Sequence, residues 1–221
     1  LTIGGSFYGE SGASYLSSST IIDFTATNTG QQIGSTASST FTFYDMNFTG
    51  VGGEWAIQTP IVSQTDIDIA TGTILGVSDI TIENGSFSGE GLVSMSEGTV
   101  SIERDKILGG SQGWTFYNLT LGDGLTSEFT TPASNATTTI AGVLTVDTAH
   151  FFDVKGLVID FLGSNNVFVE NGNFLEGTST VRYIGATPNI LRTAYNNLTI
   201  DTNGVGTVVA TAPSTGLQIL G

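Results

Sequence analysis

Cysteine is absent from the 221-residue chain. That excludes disulfide staples, zinc–thiolate centres and a thiol nucleophile, and leaves burial and backbone pairing to hold any extracellular fold together. Histidine occurs once, at His150, and zinc needs three or four protein ligands, so a zinc site is excluded too. Charge is scarce: Asp, Glu, Lys and Arg make up 11% of the chain, against about 25% in ordinary soluble domains. Basic residues are scarcer still, five against twenty acidic ones, for a net charge of −15. Such a chain repels a nucleic-acid duplex and an anionic membrane surface. It suits a salty exterior, or divalent cations held by carboxylate and carbonyl oxygens. No apolar run approaches the ~18 residues of a membrane helix, so no membrane insertion is expected within this segment. Leu1 opens the chain without methionine or a signal-peptide pattern, and a piece of a longer chain is expected.

Helix signals are equally thin, because no window sustains apolar spacing at i, i+3 and i+4 and the strong helix formers are sparse. Strand signals fill the space. Short alternating runs occur at TIIDFTA (20–26), TFTFYDMNF (40–48), SDITIE (78–83), TVSIE (99–103), GVLTV (142–146), GLVID (156–160), VFVE (167–170) and STVRYI (179–184). Clusters of Gly, Asn, Asp and Ser separate them, so the class is all-β.

The strands come in a repeating order. LTIGGSFYGESGASYLSSSTIIDF (1–24) resembles ITIENGSFSGEGLVSMSEGTVSIE (80–103), and VFVENGNFLEGTSTVRY (167–183) is a shortened third version. Phe7, Phe87 and Phe174 mark one position, then Tyr44, Tyr117 and Tyr195, then Pro60, Pro132 and Pro213. Three degenerate copies of about 80 residues (1–79, 80–166 and 167–221) thus form one continuous array without linkers. Strand segments inside each copy recur about every 18 to 24 residues, the circuit of a parallel β-helix coil. The expected architecture is a right-handed parallel β-helix, with tandem β-sandwich modules as the alternative.

The combination GTVSI (98–102), FYNLTL (116–121) or YNNLTI (195–200), a proline turn and GVLTV resembles the degenerate repeats of large bacterial surface proteins and adhesins of the parallel β-helix type. That resemblance implies a cell-surface or extracellular role and names no ligand.

Five N-x-Ser/Thr sequons occur, at Asn47, Asn84, Asn118, Asn135 and Asn197. Asn47, Asn118 and Asn197 are expected at one equivalent repeat position, which favours a structural Asn/Thr motif; Asn84 and Asn135 sit in turn-like surroundings and are the better glycan acceptors. For acid catalysis, Asp66 and Asp68 would share a strand face, and Asp147, Asp153 and Asp160 surround His150 in DTAHFFDVKGLVID (147–160); the competing reading is ordinary turn chemistry. LGDGLTSE (121–128) offers Asp123 as a weak calcium candidate, but it lacks the ligand series of an EF-hand and also reads as a tight turn. Trp55, Trp114, Tyr8 and Tyr15 could stack on sugars or pack on the core. With no nucleophile elbow, phosphate loop or dinucleotide fingerprint, the expectation is a non-catalytic structural and adhesive scaffold segment, cell-surface or filament-forming. Its partners would be neighbouring repeats, identical subunits end to end, or a surface carbohydrate or protein. The alternatives are a polysaccharide-active hydrolase or lyase, and a carbohydrate-binding sandwich array.

Overall fold

The computed structural model describes residues 1–10, 15–36, 40–104, 106–125 and 127–201, with the strands Val209–Ala210 and Gln218–Ile219. It is all-β, and no helix occurs among the described residues, so none is long and apolar enough to cross a membrane. Three long sheets carry the fold. Sheet I has nine strands, from Thr2–Ile3 to Asn173–Leu175; sheet II has ten, from Phe7–Gly9 to Asn197–Ile200; sheet III has eight, from Tyr15–Leu16 to Phe168–Glu170. The chain visits I, II and III in turn, and each circuit is one coil.

Every pairing among the described strands is parallel. In the three long sheets partners lie between 17 residues apart (Thr180 and Asn197) and 26 apart (Phe7 and Ile33). The molecule is a parallel β-helix, and sandwich modules, which rest on antiparallel sheets, are excluded. At about 4.8 Å per strand the ten-stranded sheet extends ~43 Å.

The core follows from strand alternation. One side chain in two points inward, and coil stacking puts each on its counterpart below. Ile22, Met46, Ile67, Phe87 and Leu108 form one buried column in sheet I, and Phe41, Ile61, Ile80, Val100, Leu119, Leu144 and Phe168 form another in sheet III. Phe24 stacks on its register partner Phe48 with ring centroids 4.8 Å apart and planes 11° from parallel, and Trp55 meets Phe48 edge-on at 5.1 Å. Trp55 and Trp114 are buried, Tyr15 is partly buried against the core, and only Tyr8 of the four candidate platforms faces solvent, at 49% exposure.

The strand pairing corrects the 80-residue register. Phe7 lies in sheet II, whereas Phe87 and Phe174 lie in sheet I. Pro60 precedes a sheet III strand, Pro132 ends a sheet I strand, and Pro213 lies outside the described residues. Asn47, Asn118 and Asn197 belong to sheets I, III and II respectively, so they share no repeat position.

Their common word encodes a corner. In each case a buried aromatic ends one strand (Phe43, Phe116, Tyr195), a single residue turns the chain (Tyr44, Tyr117, Asn196), and the next strand begins at once (Asp45, Asn118, Asn197). The three corners lead into three different sheets. Similar words recur because a one-residue corner makes the same local demand wherever it falls.

At the I–II corner successive coils nearly touch. A Cβ on Gly50 would lie 1.7 Å from the Ala26 carbonyl oxygen, whereas one on Gly4 would meet nothing closer than Thr25 Oγ1 at 3.9 Å. Gly50→Ala should therefore lower stability by about 1–3 kcal/mol through overpacking, and Gly4→Ala should change it by no more than ~0.5 kcal/mol. Phe48→Ala, which leaves a hole in the ring stack, should cost about 3–5 kcal/mol. Urea unfolding followed by circular dichroism measures all three.

Candidate functional site

Two polar regions on the outside of the coil collect most of the chemistry. The first is the outer face of sheet I in the early coils. Asp23, Asn47, Asp68 and Ser88 form one outward column in register, with Asp45 and Asp66 beside it. Asn47 Nδ2 donates to Asp23 Oδ1 at 3.2 Å, the Ser86 amide donates to Asp66 Oδ1 at 2.6 Å, and Thr65 Oγ1 donates to Asp45 Oδ2 at 3.2 Å. Asp66 and Asp68 thus do share a face, and two further carboxylates join them. Burial pushes the Asp45 carboxyl above its ordinary value, and Asp66, Asp68 and Asp23 add to the rise against the opposing Thr65 hydrogen bond. Burial and then Asp66 push Asp68 upward in the same way.

The second region is the edge where sheet III turns into sheet I. The residue after each sheet III strand stacks on its counterpart: Tyr44, Gln64, Glu83 and Glu103 form one column, joined by amide-to-carbonyl bonds such as Gln64 N to Phe43 O (2.9 Å) and Glu83 N to Ser63 O (2.9 Å). Between Gln64 and Glu128 the edge opens into a groove of about 520 Å³ lined by Gln64, Glu83, Asn84, Glu103, Arg104 and Glu128. Arg104 is pinned there, with Nη1 3.2 Å from Glu128 Oε1 and Nη2 3.5 Å from Asp123 Oδ2. Burial first, then the Glu83 and Asp123 charges, raise the Glu103 carboxyl, with Arg104 acting in the opposite sense.

The acids around His150 are dispersed, because two corners separate them. Asp147 sits at the III–I edge and accepts the Thr148 amide at 2.7 Å; Asp153 ends a sheet I strand and accepts the Lys155 amide at 3.3 Å. Asp160 lies in sheet II, where its two oxygens accept Arg182 Nε and Nη2, both at 2.5 Å, across one coil. His150 is fully buried with Nε2 2.8 Å from Thr130 Oγ1. These residues make turn, ladder and core contacts in three separate places along the coil.

Asp123 accepts the Leu125 amide at 2.8 Å in addition to its ion pair, which is the tight-turn geometry. Among the described residues no three acidic or histidine side chains are gathered where a metal ion could be held. Among the sequons, Asn118 Oδ1 accepts the Val143 amide at 2.9 Å and Asn197 Nδ2 donates to the Ser179 carbonyl at 3.3 Å, one coil away in each case; Asn84 and Asn135 are exposed between strands.

Comparison with known proteins finds no matching family model, no similar curated protein and no similar solved structure. The class of the molecule therefore rests on its own geometry, a parallel β-helix with a polar groove along one edge.

The raised carboxyls make acid pH favourable. A carboxyl whose folded-state pKa lies above its unfolded value contributes stability that is fully present below the unfolded pKa and is lost as pH rises through the folded pKa. Asp45, Asp68 and Glu103 all shift in that direction. A pH series of thermal melts should show Asp45→Asn/Asp68→Asn more stable than wild type at neutral pH, with the gap closing once wild-type carboxyls are protonated. A gap that widens on acidification would contradict the assignment.

Proposed function

We propose that this chain is a non-catalytic structural and adhesive scaffold, a segment of an extracellular cell-surface or filament-forming protein. The observation that carries the reading is the unbroken ladder: sheet II continues through ten strands in register, while the carboxylates are distributed along the rod's sides. Stacked coils give stiffness and length, and the outward columns are what such a rod displays. Neighbouring repeats, or identical subunits end to end, would continue the ladder at its ends, where strand edges seek partners.

The polysaccharide-active enzyme is the second reading, and the raised carboxyls of Asp45 and Asp68 beside Asp66 are the one feature that favours it. A scaffold needs no turnover. Antibody labelling of intact source cells should detect the chain at the surface, and brief protease treatment of those cells should remove it. Retention inside the cell, or saccharide cleavage abolished by Asp45→Asn, would overturn the scaffold reading.

A further inference from the structure

The III–I edge carries three parallel lanes of hydrogen-bonding groups that repeat once per coil. The first lane is the outer face of sheet III, where Thr42, Thr81, Ser101, Thr120 and Thr145 stand in one column, half-exposed and without a charge, interrupted by Val62 between Thr42 and Thr81. The second is the corner column Tyr44, Gln64, Glu83 and Glu103, and the third brings Asn84 and Arg104 to the groove lining. Among the described residues the hydroxyls of Thr81, Ser101 and Thr120 make no side-chain hydrogen bond, nor do the side chains of Gln64, Glu83, Asn84 and Glu103. Arg104, by contrast, is already committed to Asp123 and Glu128.

The lining selects a ligand class. No apolar residue lines the groove, which disfavours a small apolar molecule. Three glutamates against one paired arginine repel phosphate, sulfate and uronate groups. A metal ion would need a convergent ligand set, which the described residues do not provide. Hydroxyls, amides and carboxylates are together both donors and acceptors, the complement of a polyhydroxylated surface. A spacing of about 4.8 Å along the coil axis presents a further polar side chain at each step from Gln64 to Glu103, which suits a polymer better than a single sugar. Tyr44, half-exposed one coil below Gln64, adds an aromatic ring to the same column.

We propose that the groove from Gln64 to Glu128, with the adjoining Thr81, Ser101 and Thr120 hydroxyls, binds a neutral polysaccharide chain lying along the coil axis. Binding needs no covalent step, and it goes beyond the scaffold reading without depending on it.

The test uses the whole chain on immobilised oligosaccharides of varied linkage, neutral ones alongside a polyuronide and a polyglucosamine. The expected result is saturable binding to neutral members, weakened about tenfold or more by Glu83→Ala/Glu103→Ala, as loss of hydrogen bonds to charged acceptors implies. Thr139→Ala, on the outer face of sheet II, should bind as wild type does. Melting curves of the variants check that each remains folded. Retention of no neutral glycan, equal binding by the double variant, or retention of the polyglucosamine alone would overturn the proposal. Any of these with the chain still displayed on the cell surface would leave the scaffold reading standing.

Discussion

The parallel backbone ladder between coils is the constraint from which the rest follows. Each strand bonds to the one a coil below and the one a coil above, so identical positions stack at about 4.8 Å. Inward positions must then be filled by side chains that tolerate their own kind as neighbours. Ile, Val, Leu and Phe do so, and the Phe24–Phe48 stack shows the spacing imposed directly on aromatic rings. Where backbones crowd at a corner, as at Gly50, only a residue without a side chain fits.

The same ladder decides where chemistry gathers. Residues about one coil apart become neighbours, while residues adjacent in sequence are sent to different sides. Asp160 meets Arg182, Arg104 meets Glu128, and Asn47 meets Asp23, each across one coil. With five basic residues in the whole chain, carboxylates such as Asp23, Asp66 and Asp79 meet side-chain or backbone amides instead. Burial first, and neighbouring carboxylates second, make the partly buried acids on sheet I and at the III–I edge harder to ionise.

The fold class was legible because alternation in runs such as TVSI reports burial on one face, and the spacing of those runs reports the circuit. Register was not. Coils differ in length between 17 and 26 residues, so no fixed period tracks them, and the corner words mimic a long repeat by recurring at different corners. In the cluster 147–160 the competing turn reading holds for Asp147 and Asp153, because acids close in sequence are carried apart by the corners between them. The groove residues went unnoticed as a set because a coil separates Gln64, Glu83 and Glu103. Their signal is a polar residue directly after three successive sheet III strands, Ile61–Ser63, Ile80–Ile82 and Thr99–Ile102, visible once the coil is known. The pair Asp66 and Asp68 was legible, since alternation alone places both on the same face.

Coil excision tests the ladder directly. Removing 67–86 takes out one complete coil and puts Phe87 where Ile67 stood, its own register partner; removing 67–76 takes half a coil and throws every following strand out of register. A ladder of stacked coils should leave a folded, cooperatively melting protein after the first deletion and lose cooperative folding after the second. Equal collapse of both, measured by thermal unfolding, would contradict it.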